Sequence, residues 1–512
     1  MTTTTARSLR LGDTEYPVLL PSLRDPRLHL ASVIITIHVL GQTVLGFRVS
    51  VPQILVAILT CALMEVIWTF HRSKQIVWPA SAMLTGSGVA LILRLVGMER
   101  GDRWSWEGWY IFAAVAGFSL LTKYVIRYRG DHVFNPSNVG LVVAFILLGS
   151  ELIEPLDFWW GPLDFWMAAA YLIILVGGLL ITARLRLLAM AATFWITLVV
   201  GIGVLAASGH CMTTAWALQP VCGTSFWWVI VTSPEVLIFL FFMITDPKTI
   251  PAGRAARVTF AICLALVCTL LMAPQTNEFG AKVGLLAGLV VMTPLRFVFD
   301  RVVSGERQGS LVLPPGAPVR IFARGAAFGA LVVVISVGIV MAGTPARDTA
   351  QAATVTAVTP EVDIDPADLP LVTVSVDARA LNGQIDPDTL AMFLAEALAI
   401  EGQAILSGDT SLLRAADDGE RLVEMETRVQ IAATRGEHVV PGHTFDSLHL
   451  DVIFTDGPQG GASLGLVATG TVENITYDAA GLEQGRVSET FARTFVLGPG
   501  AGERWLIVAE VE

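Results

Sequence analysis

Residues 166–207 read WMAAAYLIILVGGLLITARLRLLAMAATFWITLVVGIGVLAA, two long apolar runs that only a short segment with Arg184 and Arg186 separates. Each run approaches the roughly 20 residues that an α-helix needs to cross a bilayer. The pair therefore predicts two membrane-spanning helices joined by a basic turn.

Similar apolar runs recur through the first two thirds of the chain, which is 54% hydrophobic and 15% charged, with a mean hydropathy of +0.65. They lie at residues 29–47, 50–70, 80–97, 108–125, 137–150, 166–182, 187–207, 227–244, 257–273, 281–298 and 321–342. The third and fifth are short and flanked by Pro or Gly, which lipid tolerates only where irregular backbone is buried in protein or lines a cavity. We expect eleven spans, with these two broken or re-entrant.

Charge divides the chain near residue 342. Residues 343–512 hold 27 Asp and Glu against 9 Arg and no Lys, a net charge of −18, whereas residues 1–342 carry +7. In membrane proteins, loops rich in Lys and Arg lie on the cytoplasmic side. If eleven spans are counted, the basic loops of this chain all fall on one side of the membrane, with Arg48 and Arg103 as exceptions. We expect a multi-pass protein of a bacterial cell membrane, with residues 1–28 and a linker over 301–320 in the cytoplasm. The acidic tail lies outside it and has no basic stripe for nucleic acid.

Three polar segments interrupt the apolar sequence: residues 79–88 (PASAMLTGSG), 132–140 (HVFNPSNVG) and 243–251 (MITDPKTIP). Discontinuous helices of this composition bind ligands near the membrane midplane. The alternative is that Asn-Pro and Thr-Asp-Pro only cap helices and form turns.

The sequences of four segments resemble those of a known family: residues 84–86 (LTG), 134–138 (FNPSN), 154–162 (EPLDFWWGP) and 245–249 (TDPKT). In this order they resemble the RnfD and NqrB membrane subunits of the Rnf and sodium-pumping NADH:quinone oxidoreductase complexes, most closely the UnbU-like branch found with enediyne biosynthesis. The resemblance covers about residues 30–300. It implies an inverted repeat of five plus five helices over residues 29–300, with 321–342 as an added span.

The resemblance also implies a flavin, FMN or riboflavin, among the helices and a role in transmembrane electron transport. Relatives with covalent FMN attach it to a Ser/Thr-Gly-Ala-Thr motif, which this sequence lacks, so we expect noncovalent binding. The implied flavin-binding residues are Thr85, Gly86, Asn135, Pro136, Asn138, Thr245, Asp246 and Thr249. Amide groups of Asn135 and Asn138 are expected to hydrogen-bond the flavin, and Asp246 either to accept a ribityl hydroxyl or to cap a helix near Pro247.

Several further residues are candidates from the sequence. Glu65 lies inside an apolar run, where a carboxylate is by default a functional candidate; the alternative is an interfacial ion pair with His71 or Arg72. His38 is interpreted as a packed or hydrogen-bonded core histidine. Cys211 and Cys222 share one outer loop, where a disulfide is possible, and no spacing indicates a metal site.

The tail is predicted as a linker over residues 343–369 and an α+β domain over 370–512. Apolar spacing predicts a helix over 389–414, and period-two alternation predicts strands over 422–433, 448–454, 463–475, 490–497 and 505–511. The pattern loosely resembles an NTF2-like cone. Such a domain binds a small ligand or docks a partner subunit.

Three functions follow. The first is a redox subunit that carries electrons across the membrane with partner proteins on both faces, in a multisubunit complex or homo-oligomer, and is not an enzyme alone. The second is a channel or transporter for a small polar solute, and the third is a membrane anchor that displays the tail.

Overall fold

A computed structural model describes residues 3–11, 14–22, 24–96, 98, 102–150, 152–155, 165–214, 217–303, 317–344, 362, 364–375, 378, 386–455, 461–478, 481–499 and 504–511. The chain divides into two compact units. The first takes in residues 1–210, 222–275 and 279–345, and the second takes in 211–221, 276–278 and 346–512. The second unit thus contains two loop segments in addition to the predicted C-terminal domain.

The N-terminal segment forms a hairpin, which the sequence did not predict. Strands β1 (Thr3–Leu11) and β2 (Thr14–Pro21) pair antiparallel, and β2 pairs in parallel with the two-residue strand β3 (Ile76–Val77). The segment is polar and its apolar residues are unevenly spaced, because Arg7 and Ser8 separate Ala6 from Leu9 whereas Arg10 alone separates Leu9 from Leu11.

Five helices build the first half of the membrane unit. They are α1 (Pro26–Leu40), continued by a π turn over Gly41–Leu45, α2 (Val51–Ser73), α3 (Ala80–Ile92), α4 (Trp109–Val125) and α5 (Pro136–Leu148). Short strands connect them: β4 (Leu93–Leu95), β5 (Arg127–Tyr128), β6 (Asp131–His132) and β7 (Ile153–Pro155).

Eight further α-helices lie in the described residues between 165 and 342. They are α6 (Phe165–Arg184), α7 (Leu188–Ala207), α8 (Gly223–Thr232), α9 (Pro234–Ile238) with a π turn over Phe239–Met243, α10 (Arg254–Met272), α11 (Glu278–Met292), α12 (Arg296–Val303) and α13 (Ala317–Ala342). The hairpin of β8 (Cys211–Thr214) and β9 (Ala217–Cys222) joins α7 to α8. A helix therefore occupies each of the eleven predicted apolar runs.

Eight helical segments in the described residues are long and apolar enough to cross a membrane. Seven belong to the membrane unit: Pro26–Leu45, Val51–Ser73, Phe165–Arg184, Leu188–Ala207, Gly223–Met243, Arg254–Met272 and Glu278–Arg301. Large apolar side chains such as Leu59, Leu147 and Leu180 are exposed on this unit. Exposed apolar helix faces of this kind suit lipid rather than water, so the chain has the character of a polytopic membrane protein.

The prediction of short helices in the third and fifth runs is confirmed. Both α3 and α5 have 13 residues, so each is about 20 Å long at 1.5 Å per residue and cannot cross a hydrocarbon core of about 30 Å. The eighth run is also broken, because α8 ends at Thr232 and Ser233 caps α9 through Val236 N–H. These breaks place helix ends inside the membrane unit.

The C-terminal domain is a five-stranded sheet with two long helices. The strands are β10 (Val372–Val374), β11 (Glu437–Thr455), β12 (Gly461–Asp478), β13 (Glu483–Pro499) and β14 (Trp505–Val511), in that order across the sheet, antiparallel except for the β10–β11 pair. Helices α14 (Pro387–Ser407) and α15 (Gly419–Arg435) pack against β11 and β14. Leu390, Leu394 and Leu398 of α14 lie in the domain core, so this eighth apolar helix packs on a sheet and is not a span.

Two predictions for the tail are wrong in detail. Residues 422–433 form part of helix α15 and not a strand, because Met425, Val429 and Ala432 recur at helical spacing and face the core. The predicted helix over 389–414 ends at Ser407, where Gly408 takes a left-handed conformation and a 3₁₀ turn follows over Thr410–Ala415. Of the two predicted linkers, residues 304–316, 345–361 and 363 lie outside the described residues, as do 156–162 of the EPLDFWWGP segment.

Candidate functional site

The start of α5 and the π turn after α9 meet through the side chain of Asn135. Asn135 caps α5, its Oδ1 accepting the backbone N–H of Asn138 (3.3 Å) and the hydroxyl of Ser137 (3.0 Å). Its Nδ2 donates to the backbone oxygen of Met243 at 3.3 Å. The Asn135 amide therefore has partners on both sides and ties the two predicted motifs together, with Pro136 at the first turn of the helix.

Asn138 joins α5 to α11. Its Nδ2 donates to the backbone oxygen of Leu286 at 2.9 Å, and the side chain is 1% exposed. Its Oδ1 is buried and accepts no hydrogen bond from the residues that the structure describes. An unsatisfied buried amide oxygen costs about 1–3 kcal/mol, so this atom is a candidate acceptor for a bound ligand or water.

The segment of residues 245–249 is a turn, and the helix that was predicted near Pro247 does not form. Asp246 Oδ1 accepts the backbone N–H of Lys248 at 3.0 Å, and Oδ2 lies 3.1 Å from Nε2 of His132. Burial acts to raise the pKa of Asp246, but the His132 hydrogen bond and Lys248 outweigh it, so this pKa lies below its ordinary value. Asp246 therefore caps a turn and pairs with His132, and both carboxylate oxygens have partners.

Thr245 and Thr249 bond to the backbone on either side of that turn. The Thr245 hydroxyl donates to the oxygen of Phe241, and the Thr249 hydroxyl donates to that of Asp246 at 3.2 Å. Both side chains are buried. Both hydroxyls stabilise the turn, and each already donates its proton to a backbone oxygen.

Thr85 and Gly86 serve helix packing in this structure. The Thr85 hydroxyl donates to the oxygen of Ser81 within α3, and a Cβ at Gly86 would overlap the backbone of Ala57 and Ile58. Gly86 thus allows α3 to approach α2 closely. No hydrogen bond in the described residues joins Thr85 or Gly86 to Asn135 or Asn138, and their assignment to a flavin site stays a prediction.

The next turn of α3 supplies the polar contacts instead. Nε2 of the buried His38 lies 3.2 Å from the hydroxyl of Ser87, and a Cβ at Gly88 would lie 3.3 Å from the hydroxyl of Ser137. Nδ1 of His38 has no hydrogen-bond partner in the described part of the chain. We call the set of His38, Ser87, Ser137, Asn135 and Asn138 the polar junction.

Lysine–glutamate ion pairs lie inside the membrane unit. Glu65 accepts from Lys123 at 2.9 Å and from the Tyr124 hydroxyl, and not from His71 or Arg72 as the sequence suggested for an ion pair. Lys282 of α11 lies 3.6 Å from Glu235 of α9. Lys282 is one turn before Leu286, the acceptor of Asn138, and so on the same side of α11.

Sequence reasoning missed Lys123, Lys282 and Glu235. Lys282 carried the clearest signal, since it and Arg296 are the two charged residues of the apolar run 281–298, and Glu235 follows the Ser-Pro break at residue 233. Cys211 and Cys222 are disulfide-bonded, as was thought possible, and Cys61, Cys263 and Cys268 are free and buried. No group of three or more His, Cys, Asp or Glu in the described residues is arranged to hold a metal ion.

The sequence matches no protein-family model, and comparison with curated proteins finds no match.

Proposed function

We propose that the chain is the membrane subunit of a flavin-dependent electron-transport system, with FMN or riboflavin held noncovalently at the polar junction. The observation that carries the proposal is Oδ1 of Asn138, which is buried and has no hydrogen-bond partner among the described residues, one turn from the contact of Asn135 with Met243. Partner proteins on the two membrane faces would deliver and accept the electrons.

The donors of a flavin fit this atom. An isoalloxazine N–H or a ribityl hydroxyl can donate to Asn138 Oδ1, and the unpartnered Nδ1 of His38 supplies a second buried polar atom at the junction. The Asn135 side chain already has partners within the protein at both Nδ2 and Oδ1. It would orient Asn138 by accepting its backbone N–H. A bound flavin supplies one- or two-electron transfer, and the surrounding residues set its potential.

An internal correspondence supports the five-plus-five repeat on which the family resemblance depends. The sequence Gly-Leu-Val-Val occurs at Gly140 in α5 and again at Gly288 in α11. A Cβ at Gly140 would overlap Ser119 of α4, and one at Gly288 would overlap Cys268 of α10. In both halves, therefore, the fifth helix approaches the fourth through a glycine at the start of the same tetrapeptide.

The test is the absorption and fluorescence spectrum of the detergent-purified protein, prepared with riboflavin and FMN supplied, before and after acid precipitation. We expect a flavin spectrum that acid releases into the supernatant. Asn138→Leu should abolish it, because this change removes the free acceptor and the bond to Leu286.

A matched variant is Thr182→Val, which removes a fully buried hydroxyl of α6 that bonds only within its own helix. It should keep the flavin. A colourless wild type, or equal flavin in both variants, would contradict the proposal.

The ion pairs Glu65–Lys123 and Glu235–Lys282 favour a second candidate, a channel or transporter for a small polar solute. Charged side chains within membrane segments commonly mark pathways for ions and polar solutes, and both Glu65–Lys123 and Glu235–Lys282 are largely buried. Uptake of a radiolabelled polar solute such as urea into proteoliposomes, lost in Lys282→Met, would support this function. Absence of flux together with a bound flavin would favour electron transport.

A further inference from the structure

The connection between β4 and α4 exposes a cluster of large aromatic side chains. Its described residues 102–108 read DRWSWEG, and Trp109 and Tyr110 follow in the first turn of α4. The exposed fraction is 73% for Trp104, 62% for Trp106, 47% for Trp109 and 62% for Tyr110. We call these four residues the aromatic rim. Exposed apolar clusters of this kind mark interaction surfaces.

The start of α2 holds the backbone of this connection in place. Hydrogen bonds to backbone oxygens run from the Ser50 hydroxyl to Ser105 (2.6 Å), from Val51 N–H to Arg103 (2.9 Å) and from Gln53 Nε2 to Glu107 (2.7 Å). Ser50 and Gln53 are fully buried and form the capping box of α2. Trp104 and Trp106 therefore lie between anchored positions, and an ordered backbone presents them outside the protein.

The aromatic rim continues an exposed face of α4. The exposed positions of this helix recur every three or four residues, so they share one face: Tyr110, Ala114, Phe118, Leu121 and Val125. From Ala114 onward this face is apolar and suits lipid. Helix α4 has 17 residues and is about 26 Å long, slightly less than the hydrocarbon thickness of about 30 Å. The rim at its start thus lies where hydrocarbon gives way to headgroups.

The charged residues of the connection favour lipid headgroups over a protein partner. Asp102, Arg103 and Glu107 are exposed next to the two tryptophans. The buried centre of a protein–protein interface is depleted of charged residues. The headgroup region of a bilayer accommodates charges together with Trp and Tyr rings, whose apolar bodies enter the lipid while their N–H and O–H groups stay hydrated.

We infer that residues 102–110 anchor the membrane unit in the headgroup region of the bilayer, with the phospholipid surface as the partner of the aromatic rim. The anchor fixes the depth of α4. It also fixes the depth of α3, because β4 follows α3 directly in the chain and leads into this connection. A helix too short to cross the bilayer cannot set its depth by its own length, and α3 carries Ser87 of the polar junction.

The experiment attaches a thiol-reactive nitrobenzoxadiazole fluorophore to Trp104→Cys or Trp106→Cys in the full-length protein. The labelled protein is reconstituted into vesicles of phosphatidylethanolamine and phosphatidylglycerol that contain a spin-labelled lipid, with the nitroxide either at the headgroup or near the end of the acyl chain. The native free thiols of Cys61, Cys263 and Cys268 are buried, and labelling of the wild type gives their background.

Two further positions calibrate the depth. Phe118→Cys lies near the middle of the apolar face of α4, and Leu371→Cys lies at a residue of the C-terminal domain that is 87% exposed. We expect the labels at Trp104 and Trp106 to lose fluorescence mainly to the headgroup nitroxide and to emit at shorter wavelength than the Leu371 label. The Phe118 label should be quenched mainly by the nitroxide near the chain end, and the Leu371 label by neither.

The inference is overturned if the labels at Trp104 and Trp106 emit like the Leu371 label and neither nitroxide quenches them, which is the behaviour of a surface in water. Quenching in the pattern of the Phe118 label would also overturn it, because the connection would then lie in the hydrocarbon. Since the readout is depth in the bilayer, it is independent of whether the membrane unit holds a flavin.

Discussion

Nζ of Lys123 lies 2.9 Å from Oε2 of Glu65, and this ion pair joins α4 to α2 within the membrane unit. Both side chains are 15% exposed, and the Tyr124 hydroxyl also donates to Glu65. A carboxylate for which the sequence suggested His71 or Arg72 as ion-pair partner is thus held by a cation 58 residues away.

Removing one member of this pair should destabilise the membrane unit more than removing both. Lys123→Met leaves Glu65 as an unpaired buried charge, a loss of roughly 3–5 kcal/mol, whereas the double variant with Glu65→Gln leaves no charge. The measurement is thermal unfolding in detergent by intrinsic tryptophan fluorescence. Equal losses for the single and double variants would show that the two residues do not interact.

Gly86 should not tolerate a methyl group. Gly86→Ala places a Cβ against the backbone of Ala57 and Ile58, and backbone cannot move aside as a side chain can. The expected loss is about 1–3 kcal/mol of unfolding free energy, as for other overpacked sites. Gly117→Ala in α4 is the matched control, since its nearest neighbour would be Met64 Sδ at 3.5 Å. Its unfolding temperature should equal or exceed that of the wild type.

Asp417 should make the C-terminal domain less stable as the pH rises. Burial and the neighbouring Glu401 carboxylate raise its pKa to about 10, whereas in the unfolded chain it is about 3.9. The folded protein therefore holds a proton that the unfolded chain releases, so stability is greatest below pH 4 as far as this group is concerned and is lost as the pH rises towards 10.

Asp417→Asn should remove this dependence, because the side-chain amide of Asn does not titrate. The unfolding temperature of the domain, followed between pH 6 and 9, should fall in the wild type and stay level in the variant. Asp418→Asn changes the adjacent, exposed carboxylate and should retain the wild-type slope. A slope that survives Asp417→Asn would assign the effect to another group.

The disulfide between Cys211 and Cys222 should stabilise the hairpin of β8 and β9. Closing a loop of this size contributes roughly 3 kcal/mol by restricting the unfolded chain. Paired Cys211→Ser and Cys222→Ser substitutions should therefore increase cleavage in this hairpin by a protease added to intact protein. Cys263→Ser, which changes a free cysteine of α10, should leave the cleavage rate unchanged.

The sequence by itself determined where the membrane helices lie and where they break. Apolar length is a local property, so each predicted run became a helix. The Pro and Gly positions that bound the short helices also act on neighbouring residues: Pro79 lies before α3, Gly149 after α5 and Pro234 after α8. The hairpin before α1 and the helix α15 were not predicted, and the reason is local as well. In a short or polar amphipathic segment, the strand period of two and the helix period of 3.6 are harder to tell apart.

Only the tertiary structure decided what the polar residues contact. Asn138 was a candidate from its motif, but its hydrogen-bond partner, the backbone oxygen of Leu286, is 148 residues away in the sequence. That bond occupies Nδ2 and leaves Oδ1 without a partner among the described residues. The motif at Thr85 and Gly86 became a helix contact for the same reason. Side-chain partners depend on which helix faces meet after packing. The 3.6-residue period shows which residues share one face of a helix, but it does not show which other helix packs against that face.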